Sequence, residues 1–207
     1  MSALVFLGAS LLLALTPGAN NLLALQNAIR HGRRLALGAL AGRLAAFAIM
    51  ITAVAAGLGP LLARSERVLT TIKWLGVAYL LYLGARTLWD ALRRPAPDAP
   101  AEDAPADAPG LRPLARKEFL VAITNPKALL IFTAFLPQFI DPGMSAPLQF
   151  AWLGPLYLLA ESLAATAYCL LGGALKAMRT SRAFRRRLDQ GTGAVLLGLA
   201  ALLAADH

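Results

Sequence analysis

Three ionisable side chains, Arg43, Lys127 and Glu161, stand inside stretches otherwise apolar enough to sit in lipid. Three asparagines stand beside prolines in the same setting, within two short breaks: Thr16-Pro17-Gly18-Ala19-Asn20-Asn21 and Thr124-Asn125-Pro126-Lys127. Pro17 lacks an N–H and its ring clashes with the carbonyl four residues back, so a helix is interrupted or kinked there. Gly18 lets the backbone approach a ligand closely. A half-helix starting after it would offer free N–H groups and a positive dipole end to an anion such as a carboxylate. Asn20 and Asn21 add side-chain donors and acceptors. The plainer alternative is a structural kink satisfied by neighbouring helices. Asn125 and Pro126 repeat the polar-then-proline pattern. Lys127 beside them balances a substrate carboxylate, stabilises the opened backbone, or snorkels to the membrane surface.

An arginine at a helix centre costs roughly 2.5–3.5 kcal/mol by insertion scales, so Arg43 should face the bundle interior and have a partner. Glu161 is the expected partner. It is the only carboxylate deep in a predicted span, which makes it the candidate proton-coupling residue. The two either alternate between pairing and substrate contact or form a static structural ion pair.

These residues need elements to hold them, and the composition says which kind. Hydrophobic residues make up 58% of the 207-residue chain and charged residues 15%, with a mean hydropathy of +0.61. A soluble domain is nearer half apolar and a quarter charged, so the expected class is an all-α membrane protein. The formal charge of +9 does not indicate nucleic acid, because Lys and Arg cluster between apolar segments, where they set topology against an anionic leaflet. Cys169 is the single cysteine, so no disulfide or two-thiol redox couple forms within the chain. His31 and His207, the two histidines, are too far apart for a histidine metal centre. No cofactor is expected.

Six apolar stretches are long enough to span a hydrocarbon core of roughly 30 Å: 3–28, 35–59, 68–91, 118–140, 148–175 and 189–205. Residues 3–15 lack the basic n-region of a signal peptide and read as a retained first helix. Arg30, Arg33 and Arg34 follow the first stretch, and Arg93, Arg94, Arg112, Arg116 and Lys117 flank the middle loop. Lys176, Arg179, Arg182, Arg185, Arg186 and Arg187 follow the fifth. The positive-inside rule then puts these three loops in the cytoplasm and both termini outside. Pro95–Gly110 is built of Ala, Pro and Asp with one Glu and reads as a disordered linker. The domains expected are a first three-helix repeat over 1–92, a linker over 93–117 and a second repeat over 118–207. Three spans per half make the second half run opposite to the first, a 3+3 inverted-topology repeat with broken helices one and four.

Gly38 and Gly42 form a G-x-x-x-G, and Ala194 with Gly198 gives a similar small-residue spacing. Such spacings let helices approach within a subunit or between subunits of a homodimer. Trp74 and Trp89 mark two ends of the third span as an aromatic belt, and Lys73 and Arg86 beside them can snorkel.

Leu15-Thr16-Pro17-Gly18-Ala19-Asn20-Asn21-Leu22-Leu23, followed by His31-Gly32-Arg33-Arg34, resembles the first-helix signature of the LysE/RhtB family of amino-acid exporters. Phe119 through Phe139, with Asn125-Pro126-Lys127-Ala128 and Phe135-Leu136-Pro137-Gln138-Phe139, is similar to that family's fourth helix. Leu75 to Leu83 is similar to its third. The family more often has Pro where Ala19 stands, and a small or apolar residue is expected at Arg43. The resemblance implies a secondary exporter of amino acids or related small metabolites in the bacterial plasma membrane, driven by protons. Membrane lipids are its surroundings and nucleic acid is not a partner. The competing class is an intramembrane enzyme acting on a lipid or amphiphile. Its nucleophile, base or metal constellation cannot be assembled from one cysteine, two distant histidines and one deep carboxylate. A thiol–disulfide carrier lacks its second thiol.

Overall fold

Proline decides where the first apolar run stops being one helix. In a computed structural model describing residues 3–58, 66–93, 110–141, 143–177 and 182–205, helix α1 (Ala3–Leu15) ends before Pro17 and α2 (Ala19–His31) begins after Gly18. The two axes bend by 62°. The residue before a proline is pushed out of the α region, and Gly18 is extended, at φ −167° and ψ −179°. Gly32 then turns the chain at φ 90°, a conformation that favours glycine. Helix α3 (Arg33–Ala53) follows and loosens into a wide π turn over Val54–Leu58.

Helix α4 covers Glu66–Arg93. Helix α5 (Leu111–Ile123) stops at Thr124, and the short α6 (Pro126–Leu130) starts on a cap. Asn125 accepts the Lys127 N–H at 3.0 Å and Pro126 takes the first helical position, where a missing N–H costs nothing. The chain continues through π and 3₁₀ turns, Ile131–Phe135 and Leu136–Phe139. This second bent pair turns by 54°. Helices α7 (Ala146–Ala177) and α8 (Arg182–Ala205) complete the described chain.

Each predicted span corresponds to a helix or a bent pair of helices. The clearest differences are at the fourth and the sixth, whose helices begin at Leu111 rather than at 118 and at Arg182 rather than at 189. Among the described residues, by length and composition, Arg33–Gly57 and Ala146–Ala177 can each cross a membrane alone, and the count reaches 4 if each bent pair is one span. No strand occurs among the described residues. The linker expected over Pro95–Gly110 falls outside the described residues up to 109. So do Arg94, Arg179, His207 and the side chains of Lys73, Arg182 and Arg185.

Packing follows a simple scheme. The first bent pair lies along α7, the second lies along α3 through α5, and α4 and α8 lie mainly against each other. Gly42 is where α3 and α5 come closest: a Cβ there would stand 1.9 Å from the Ala115 carbonyl oxygen. The Gly38/Gly42 spacing therefore serves packing within the subunit. The spacing at Ala194 and Gly198 does not, since Gly198 faces open space; the last helix instead meets α4 through Gly193 and Gly84. An aromatic core of Phe6, Phe47, Phe132 and Tyr157 fills the space beyond the breaks.

Candidate functional site

The two breaks face each other. Asn125 donates through its side-chain amide to the Asn20 side-chain oxygen, so the asparagines of the two interruptions touch directly. Around them lies a cavity of about 20 Å³ lined by Thr16, Gly18, Asn20, Asn21, Asn125, Lys127, Tyr157 and Glu161, with Ala14, Phe47, Ala128 and Ile131. That is about the room one water needs. Pro17 and Pro126 shape the two turns without lining the cavity.

The carbonyls freed at the end of α1 are all taken up by protein donors. Leu12 O accepts from the Thr16 hydroxyl at 2.9 Å, and Leu13 O from Lys127 Nζ at 2.7 Å. Ala14 O accepts from Asn21 Nδ2 at 2.7 Å and Leu15 O from the Tyr168 hydroxyl at 3.0 Å. Lys127 Nζ also reaches Thr16 O at 3.0 Å. A cation at a helix C-terminus meets the negative end of the dipole. Lys127 thus reaches across to the opened backbone while also lining the cavity.

Behind the cavity, Arg43 is fully buried and uses all five of its guanidinium N–H donors. Nε and Nη2 donate to Glu118 Oε2 at 3.1 and 2.8 Å. Nη1 donates to Asn21 Oδ1 and to Glu161 Oε1, both at 3.2 Å. Nη2 also donates to the Asn20 backbone carbonyl. Glu118 takes a third bond from Asn27 Nδ2 at 3.0 Å. Buried charges persist only when paired and hydrogen-bonded; two carboxylates and a saturated network meet that requirement. Arg43 and Glu161 are paired, and Arg43 has a second partner.

Glu118 corrects the expectation that Glu161 is the only deep carboxylate: its side chain is 0% exposed. It sits at the edge of the predicted fourth span, where a charge reads as a boundary. The helical pattern held the signal, since Leu114, Glu118, Val121 and Ala122 share the buried face of α5 at i, i+4, i+7 and i+8. Asn27 and Tyr157 were likewise not singled out from sequence. Among the described residues, the side-chain amide nitrogen of Asn20 is buried and has no acceptor. A buried donor left in this state costs about 1–3 kcal/mol, and this one belongs to a residue lining the cavity.

The family described as "LysE type translocator" matches residues 11–207. A homoserine/homoserine lactone efflux protein of Salmonella typhimurium is 31% identical over 96% of this chain and 94% of its own length. A leucine efflux protein of Klebsiella pneumoniae is 27% identical, covering 99% of this chain and 95% of its own. An uncharacterized membrane protein of Vibrio cholerae is 31% identical over 97% of this chain and 95% of its own. No solved structure matches.

Proposed function

Because the chain belongs to the LysE type translocator family, and is therefore a transporter and not an enzyme, we propose that it exports amino acids or related small metabolites across the bacterial inner membrane in exchange for protons. The names of the Salmonella and Klebsiella relatives support the substrate class. The observation that carries the reading is the cavity held between two mutually touching helix breaks, with the Asn20 side-chain amide nitrogen beside it unpartnered among the described residues. Irregular backbone is tolerated at membrane depth where it is buried in protein or lines a cavity, and paired discontinuous helices are how many carriers build their sites.

In this reading the substrate carboxylate meets the start of α2 after Pro17 and Gly18, where the dipole end is positive. Asn20, Asn21 and Asn125 hold its polar groups. The small volume fits a site closed to substrate, so access alternates by opening of α7 away from the α3–α5 pair. Glu161 takes up and gives back the coupling proton. It holds Arg43 through one bond and lines the cavity, whereas Glu118 holds Arg43 through two and is sealed off. Protonation removes the ionic half of the Arg43–Glu161 contact and loosens α7. The six-span, 3+3 inverted arrangement with cytoplasmic basic loops belongs to this proposal. The exchange of partners between halves supports it, the first bent pair lying on α7 and the second on α3.

The test is counterflow of labelled amino acids into proteoliposomes. Asn20→Ala and Asn125→Ala each abolish counterflow while the protein inserts normally. Wild-type counterflow in both variants would show that the site lies elsewhere.

A further inference from the structure

Away from the breaks, a groove of about 640 Å³ lies between α4 and α5. Five cations line it, Arg30, Arg86, Arg112, Arg116 and Lys117, against one carboxylate, Asp90. Arg112, Arg116 and Lys117 make no hydrogen bond or ion pair with any described residue. Arg30 holds Asp189 through Nε at 3.0 Å, yet its Nη2 is buried with no acceptor among the described residues. An apolar or cationic occupant does not answer this surplus of unpaired donors; an anion does.

The groove is graded along its length. Asp90, Thr87, Arg86, Leu83, Tyr82 and Tyr79 run down one face of α4 and line it, in the i, i+3, i+4, i+7 pattern of a single helical face. Charge gathers near the end where α4 and α5 are joined in sequence, and Tyr79, Tyr82, Leu83 and Leu120 line the far end. From Asp90 to Tyr79 a helix descends about 16 Å at about 1.5 Å per residue. That is about the depth of one leaflet of a ~30 Å core. Trp89, more than half exposed with Arg93 stacked 4.2 Å above its ring, sits at the charged end, as a residue at the membrane–water boundary does.

We propose that this groove seats an anionic glycerophospholipid, its phosphodiester among Arg30, Arg112, Arg116 and Lys117 and its acyl chain against Tyr79, Tyr82 and Leu83. A free phosphate would use the charged end and leave the apolar end empty; an amphiphile uses both. The proposal rests on α4 and α5 lying in the membrane and is independent of what is transported. Basic pockets between membrane helices are chemically suited to such headgroups.

The test is native mass spectrometry of the delipidated full chain titrated with phosphatidylglycerol, phosphatidylcholine, or glycerol 3-phosphate as the soluble competitor. Phosphatidylglycerol binds, phosphatidylcholine binds at least tenfold more weakly, and glycerol 3-phosphate in large excess does not displace the lipid. Arg112→Gln with Arg116→Gln weakens phosphatidylglycerol about thirty-fold, from about 1 kcal/mol per surface cation and tenfold per 1.4 kcal/mol. Arg33→Gln with Arg34→Gln, equally basic but outside the groove, leaves it within twofold. Both pairs are exposed and should fold; Lys117→Gln, with an expected loss of about fivefold from the same 1 kcal/mol, is the substitute if the first pair does not. Equal losses in the two double variants, equal binding of the two lipids, or displacement by glycerol 3-phosphate each overturn the proposal. None of these outcomes depends on counterflow, so the transport reading stands or falls separately.

Discussion

Replacing each of the two carboxylates around Arg43 by its amide should give opposite outcomes. Glu118 accepts two bonds from Arg43 and one from Asn27, with its side chain 0% exposed. Glu118→Gln keeps the shape, removes the charge, and leaves the guanidinium with only Glu161 as an ionic partner. Breaking a buried pair by removing one member costs about 3–5 kcal/mol. Glu161 accepts one bond from Arg43 and lines the cavity, so Glu161→Gln loses one charge-assisted bond, about 1.5–3 kcal/mol, with Glu118 still neutralising Arg43. Thermal unfolding of purified protein in detergent should therefore show a clearly larger drop in midpoint for Glu118→Gln. Proteoliposomes then separate the roles. Glu161→Gln should retain counterflow, which needs no proton gradient, and lose gradient-driven efflux. Undiminished gradient-driven efflux in Glu161→Gln would refute the coupling role, and a wild-type midpoint in Glu118→Gln would refute the division of labour.

Two further substitutions probe the frame of the site. Gly42→Ala places a Cβ 1.9 Å from the Ala115 carbonyl oxygen. The α3–α5 spacing must widen, at about 1–3 kcal/mol, and the rise in detergent lability should come with reduced transport, because Arg43 and Glu118 sit on the two separated helices. Lys127→Met removes the donor to Leu13 O and Thr16 O and should lower stability by about 1–3 kcal/mol. Lys127→Arg, which keeps a cation at the α1 terminus, should recover most of that in the same unfolding assay. Equal midpoints for all three proteins would show that Lys127 does not hold the break.

Both breaks were legible because proline's missing donor and ring sterics act locally, whatever the tertiary context. Pairing of Arg43 with Glu161 was legible for a similar reason, since a charge in lipid must find its opposite. Glu118 was not, because a boundary rule and a burial rule conflict at residue 118. The boundary rule treats a charge at the end of an apolar run as its edge. The true helix starts at Leu111, and its buried stripe carries Glu118 inward. Asn27 became recognisable only through Glu118. The widened turn over Val54–Leu58 holds Gly57 at φ 86°, a conformation that favours glycine, yet neither it nor the turn over Ile131–Phe135 interrupts the apolar pattern from which the spans were read. The groove between α4 and α5 was hidden too: Arg112, Arg116 and Lys117 read as topology markers, and only the fold puts them opposite Arg30 and Arg86.

Saturation of Arg43 constrains how the site can open. Its five donors end on three elements, Asn20 and Asn21 on α2, Glu118 on α5 and Glu161 on α7, and so tie four helices together through α3. No donor is left over, so a substrate carboxylate cannot gain Arg43 without displacing a present partner. The contacts are unequal in a way that selects which one yields. Nε and Nη2 meet one carboxylate oxygen of Glu118 in a sealed pocket, and releasing them would strand two buried charges. Nη1 meets Asn21 and Glu161, both of which line the cavity where water, a proton or a substrate can replace what is lost. On the transport reading, movement therefore separates α7 from the α3–α5 pair and leaves that pair intact. A cysteine cross-link fixing α3 to α5 near Gly38 and Leu111, whose side chain would stand 2.9 Å from a Cβ at 38, should permit counterflow, while a link between α3 and α7 near Ile51 and Gly154, at the same 2.9 Å, should stop it. Counterflow that survives the second link and fails with the first would assign the moving boundary to the other pair of helices.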